Sequence, residues 1–436
     1  MNNSQKKALD RYRKSVDFLA RAEAVIPLGS QTFSKSRTAL PVGVSPLFIT
    51  RGQGSRVWDL DGNEYVDFVN SLLAISLGYN DPDVNAAVSE QMKSGVSFSL
   101  PHPIETELAE MICEAVPCAE RVRYGKNGSD ATAGAIRIAR AHTGRDRVAV
   151  CGYHGWQDWY IGSTTRDLGV PAATKALTHK FAYNDIASLE TLFRQYPDGF
   201  AAVILEPMNV AWPKEGFLQK LQAVTKRHGA LLVFDETITG FRYAYGGAQE
   251  RFGVTPDLAT FGKGVANGFP LAIVAGKREY MKLMEDVFFS FTFGGETLSL
   301  AAAKAVMQKM RREPVLDTIH QRGQQIIAGV TALIARHGVG GFCSVSGHPA
   351  WSFFNIGDAA PYGAFELKTL YLQEMFARGI LILGTHNISY AHSEADVARL
   401  LAAYDEILPM LRETVERKDL PRRLHCEPLA PLFKVR

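Results

Sequence analysis

"LLVFDETITGFR", residues Leu231–Arg242, decides how this chain folds. Four apolar residues in a row, with no polar alternation, read as a strand covered on both faces, as in a parallel sheet. Asp235 and Glu236 follow where such a strand must surface. Ligands of parallel α/β sheets gather beyond the carboxyl ends of the strands. A carboxylate at this place is therefore either a solvated loop charge or the tip of a site.

The same grammar recurs around it. "RVAVCGY", "AAVILEP", "LATFGK" and "LAIVAG" are short apolar runs without alternation, and helical stretches such as Ala131–Ala141 and Phe217–Arg227 separate several of them. That rhythm predicts an α/β fold with a mostly parallel sheet. Upstream, an amphipathic helix is expected from about Gln5 to Val25, stopped near Pro27 and Gly29. Next, "PLFITRGQGSRVWDLDGNEYVDFV" alternates about Gly52, Gly54 and Asp61-Gly62, the pattern of a small antiparallel meander. Beyond Glu313 the character shifts to a long helix (Val315–His337), "FCSVSG", "AWSFFNI" and further helix, an α+β tail. The expected division is 1–70, 71–312 and 313–436.

Composition narrows the function. The 436 residues are 46% hydrophobic and 21% charged, with a net charge of +3, as in ordinary globular proteins. No concentrated basic stripe points to nucleic acid, and no apolar run is long enough for a bilayer. Five cysteines are scattered without a CxxC pair, and the eleven histidines show no HExxH, so no metal is expected. The polar start "MNNSQKKALDRYRKS" lacks the apolar core of a signal peptide, making a cytoplasmic location the expectation.

Several residues could carry chemistry. Lys263 lies between two glycines in "FGKGVANGFP", which clears space for a flat ligand. Glu206 closes "AAVILE". "RVRYGKNGSDATAGAIRIAR" places Gly128, Ser129 and Asp130 at a helix start, where free N–H groups and the helix dipole favour a phosphate. "CGYHGWQDWY" supplies an aromatic loop. Taken singly, these are a loop charge, an ordinary N-cap and a hydrophobic cluster. "GKGVANG" fails the spacing of a dinucleotide fingerprint, and no GxxxxGK[ST] is present. Phosphate cradle, aromatic face, strand-end acid and glycine-flanked lysine together suit one ligand, pyridoxal phosphate. Its aldehyde bonds to a lysine, and its pyridine nitrogen needs an acid.

With those residues in view, the sequence resembles the class III aminotransferases of fold type I, most closely the glutamate-1-semialdehyde aminomutase subgroup. "FDETITGFR" is similar to that subgroup's FDEVMTGFR and "AIRIARAHTGR" to AIRLARAYTGR, with "YHG" and "FGKGVANGFPLA" in the expected order. The resemblance implies a large domain with a mostly parallel sheet, plus a smaller α+β domain built from the N- and C-terminal segments. It implies Lys263 as Schiff-base lysine and proton carrier, Asp235 as partner of the pyridine nitrogen, and Tyr153 stacked on the ring. Gly128 and Ser129 would match the phosphate-binding Gly-Thr, and Asn209 a polar residue near the ring hydroxyl. Thr237 would stand where a Val usually packs beneath the ring. Thr292 would reach the phosphate across a homodimer interface.

Departures bear on the substrate. "KNGSDA" replaces NSGTEA, "TFGGET" replaces TLSGNP, and "EPMNVAWP" lacks the EPVxGN pattern. "PLGSQTFSKSR" departs from PGGVNSPVR, leaving Lys35 or Arg37 to take the substrate carboxylate. The expected activity is transfer of an amino group from an amino acid, glutamate by preference, to a ketone or aldehyde. A 2,1-aminomutase and a non-catalytic ligand-binding relative are the alternatives. The intact Lys263 and Asp235 speak against the last.

Overall fold

The computed structural model describes residues 10–431. The chain falls into two compact units, one formed by the chain up to Asn70, Leu77–Asp81 and the chain from Asp317, the other by Ser71–Ser76 and Pro82–Leu316.

The second unit is built on seven strands in the order Arg121–Gly125, Ala272–Gly276, Leu258–Phe261, Leu231–Asp235, Phe200–Leu205, Arg147–Cys151 and Thr178–Lys180. Ala272–Gly276 runs antiparallel to both its neighbours, and the pairs from Leu258–Phe261 onward are parallel. The unbroken apolar runs follow from burial on two sides. Val148, Val150, Ile204 and Val233 pack on one face with Ala135, Ile136 and Ile138 of the helix Gly128–Thr143. Ala149, Val203, Leu232 and Phe234, one residue out of phase, pack on the other with Phe193, Phe217 and Leu221. A strand with both faces in the core has no position for polar alternation.

The first unit contains the meander, Ile49–Gln53, Arg56–Asp59 and Glu64–Asp67, extended by a parallel two-residue strand, Ile380–Leu381. A second, antiparallel sheet joins Cys343–His348, Trp351–Ile356 and Thr385–Asn387. The expected N-terminal helix is found as Arg13–Glu23, and its expected start at Gln5 lies outside the described residues. Among the described residues no helix is long and apolar enough to cross a membrane.

Candidate active site

Parallel neighbours put their carboxyl ends on one edge. Lys263 follows Leu258–Phe261, Asp235 ends its own strand, Glu206 follows Phe200–Leu205, and Tyr153 and His154 follow Arg147–Cys151. Sheet order thus gathers residues scattered over more than a hundred positions of sequence.

Asp235 is buried, 4% exposed. Its Oδ2 meets His154 Nδ1 at 2.8 Å, and its Oδ1 accepts from Thr237 Oγ1 (2.6 Å), Thr237 N (3.1 Å) and Thr260 Oγ1 (3.1 Å). Burial works against its charge, but the His154 contact and the Thr237 bonds outweigh it and hold the carboxyl below its ordinary range. The other nitrogen of His154 faces the Cys151 carbonyl at 3.2 Å. Both partners of the imidazole are acceptors, so both bonds form together only when both ring nitrogens carry hydrogen. Thr237 is more than an isostere of valine here. Its hydroxyl is tied to Asp235 while its methyl lines the space beside Gly128, where an added Cβ would come within 3.1 Å of it.

Lys263 opens a short 3-10 turn, Lys263–Ala266, with φ of 47°. That left-handed backbone costs a non-glycine residue about 1–2 kcal/mol and persists only where surroundings fix it. They do so here: Ser76 Oγ donates to the Gly264 carbonyl at 2.8 Å, and Ser76 N donates to Asn267 Oδ1 at 3.0 Å. Burial draws the lysine's pKa down, opposed by the negative charge of Glu206 and Asp235. An amine so placed reaches its neutral, nucleophilic form more readily than a solvated lysine.

At the start of Gly128–Thr143, Asp130 folds back to accept from Asn127 N (2.8 Å) and Lys126 N (3.1 Å). The amides of Gly128 and Ser129 find no acceptor among the described residues, as expected in a first helical turn. Ser129 Oγ accepts from Trp156 N at 3.2 Å, and Gly155, at φ 104°, gives it room that a Cβ would fill. Glu206 Oε2 accepts from Tyr153 N (3.0 Å) and Asn209 Nδ2 (2.9 Å), so Asn209 is anchored to the loop that carries Tyr153. Burial pushes the Glu206 carboxyl up, with the Asp235 charge adding to it.

The expected residues sit on the same edge of the sheet and beside the start of Gly128–Thr143, with Thr292 apart from their hydrogen bonds. Thr292 is exposed and hydrogen-bonds to none of them. The aromatic segment before it divides: Phe289 is in the core, whereas Phe288 is 82% and Phe293 59% exposed. Of the two cations considered for the substrate carboxylate, Arg37 is ion-paired to Glu23 within the first unit.

The sequence profile of the family described as Aminotransferase class-III matches residues 39–391. The chain is a class-III aminotransferase. Over 412 residues it is 34% identical to the 3-aminobutyryl-CoA aminotransferase of Cloacimonas acidaminovorans, covering 92% of this chain and 98% of that one. It is 36% identical over 428 residues to the glutamate-1-semialdehyde 2,1-aminomutase of Syntrophomonas wolfei, covering 91% and 98%. Among solved structures, the FumI protein of Sphingopyxis sp. MTA144, in its PLP internal aldimine form, superposes with a TM-score of 0.86 at 29% identity, covering 93% of this chain and 98% of that one. An omega-transaminase from Sphaerobacter thermophilus gives 0.82 at 30%, covering 92% and 99%. This class-III aminotransferase is a pyridoxal-phosphate enzyme of fold type I acting on small molecules. Its own residues fit that cofactor: two amides without acceptors at a helix start, a buried acid kept ionised, and a lysine whose charge is disfavoured.

His154, the partner of Asp235, is the residue of this cluster that sequence reasoning passes over, although "YHG" contains it. A histidine beside an aromatic loop residue carries no sign of its partner, which stands 81 residues away.

Proposed function

We propose that this protein is an aminotransferase that moves an amino group from an amino acid donor, glutamate by preference, to a ketone or aldehyde acceptor, as a homodimer with shared sites. The buried Asp235, held ionised by His154 and Thr237 beside a lysine of lowered pKa, is the observation that carries this reading. In our assignment Lys263 holds the cofactor covalently and carries the substrate proton. Asp235 keeps a proton on the pyridine nitrogen, and His154 keeps Asp235 charged and oriented. The amides of Gly128 and Ser129 bind the phosphate, Thr237 and Tyr153 flank the ring, and Asn209 fixes the loop edge beside it. Thr292 completes the phosphate site of the neighbouring subunit. Bound there, pyridoxal phosphate supplies an electron sink for the substrate carbanion.

The similarity to aminomutases supports a second reading, in which one substrate is both donor and acceptor. A screen of amino donors and carbonyl acceptors, with glutamate-1-semialdehyde also given alone, separates the two. Transfer between distinct partners is expected; turnover of the semialdehyde alone, without transfer, would overturn the aminotransferase reading. Borohydride treatment should fix the cofactor to the peptide containing Lys263, and a label on another lysine would remove that assignment.

A further inference from the structure

Lys126 and Glu296 have no part in the chemistry above, yet they form an ion pair at 2.9 Å with side chains only 16% and 13% exposed. Lys126 stands in the turn "KNGSDA" and Glu296 in "GGET". Burying two charges carries a desolvation penalty that their attraction repays only in good geometry, so such a pair is weak evidence for stability. Its placement points to another use.

Lys126 comes two residues before Gly128, and its backbone amide is held by the cap residue Asp130. Its ammonium also reaches Ser299 Oγ at 3.4 Å. Glu296 caps the helix Thr297–Arg312, accepting from Leu298 N (2.7 Å), Ser299 N (3.3 Å) and Ser299 Oγ (2.6 Å). Upstream the chain is wound tightly, with Glu296 N donating to the Phe293 carbonyl at 3.2 Å and Gly294 N to that of Phe291 at 3.1 Å. Thr292 lies within this hydrogen-bonded turn, four residues before Glu296. The near end of the same segment rests on the strand leading to the phosphate helix. Phe289 and Phe291 lie against Gly125, where an added Cβ would come within 3.5 Å of both rings, and Arg123 Nη2 donates to the Phe289 carbonyl at 3.3 Å.

We propose that the Lys126–Glu296 pair is a strut tying the phosphate-binding helix start of one subunit to the arm that carries Thr292 into the site of the other. It rests on the shared-site reading above. Both are positioning residues: they touch no reacting atom, and they set where Thr292 stands. The consequence is directional, because breaking the strut in one chain loosens the cofactor held by its partner.

Mixed dimers of differently tagged chains test this. A Lys263→Ala chain cannot hold cofactor covalently, so each mixed dimer keeps one borohydride-fixable site. The readout is the label remaining on Lys263 after timed dilution into cofactor-free buffer. With Lys126→Met and Lys263→Ala on the same chain, the wild-type chain should lose its cofactor about tenfold faster than in the control, the scale of one charge-assisted hydrogen bond. With the two substitutions on separate chains the rate should match the control, and Lys126→Arg should restore most of the loss. Faster loss in both arrangements would mark a general folding role and overturn the strut, as would faster loss only from the Lys126→Met chain or no change in either. Thr292→Ala in the same two arrangements tests the underlying reading by itself: without an effect across chains, or with a monomer in sedimentation, the shared site fails first.

Discussion

Asp235 and Glu236 are neighbours in the chain and both buried, yet the two sides of this strand tip treat a carboxylate in opposite ways. Asp235 faces an imidazole and two threonine hydroxyls and is held below its ordinary range. Glu236 faces neutral donors: Ala248 N at 2.5 Å, Gln249 N at 3.1 Å, Gln249 Nε2 at 3.0 Å and Thr239 Oγ1 at 2.8 Å. Burial dominates there and its carboxyl is pushed up in spite of those bonds. One carboxylate is kept charged beside His154. The other pins the loop from Thr239 to Gln249, folding the chain away from the strand. Two acids at one strand end thus serve different ends, and a partner able to carry positive charge makes the difference.

The largest expected effect separates them by activity. Asp235→Asn should lower turnover by roughly a thousandfold or more, the scale of losing a buried group that stabilises developing charge, while the purified protein stays folded. Steady-state kinetics together with circular dichroism measure it, and an Asn variant as fast as wild type would make this acid structural. Glu236→Ala should do the reverse. It strands at least two buried backbone donors, at about 1–3 kcal/mol each, so the urea midpoint should fall clearly while turnover per folded molecule holds.

His154→Gln should reduce turnover by roughly tenfold to a hundredfold, the range seen when a residue orienting a metal ligand is removed. It should also shift the pH dependence of the bound cofactor's absorbance, because Asp235 loses the partner that keeps it charged. An unchanged spectral titration would leave His154 a packing residue.

The smallest effect is a difference of slope. A carboxyl with a depressed folded pKa gives stability that is present above its unfolded value and lost as pH falls through the folded one; one with a raised pKa loses stability as pH rises toward it. The deficit of Asp235→Asn should therefore grow from acid toward neutral pH. That of Glu236→Gln should shrink over the same direction. Denaturant melts of the apoprotein at several pH values give both, and parallel slopes would erase the contrast.

Part of this architecture is legible in the residues alone. The unbroken apolar runs reveal the two-sided sheet because a strand buried on both faces leaves a one-dimensional trace. The Ile380–Leu381 strand leaves none, since two residues are too few for a period and they pair with Glu64–Asp67 more than three hundred positions earlier. Thr237 reads as a valine substitute because its hydroxyl bond is invisible without its Asp235 geometry.

The sequence by itself determined the strand ends, the glycines that leave room at Lys263 and Gly128, and the order of motifs that names the family. These are local, set by residue type and spacing along a few positions. The tertiary structure alone decided that His154 meets Asp235 across 81 residues and that Lys126 meets Glu296 across 170. Such pairs depend on sheet order and helix seating, which arise from packing of the whole unit, so neither member carries a mark of the other in its own neighbourhood.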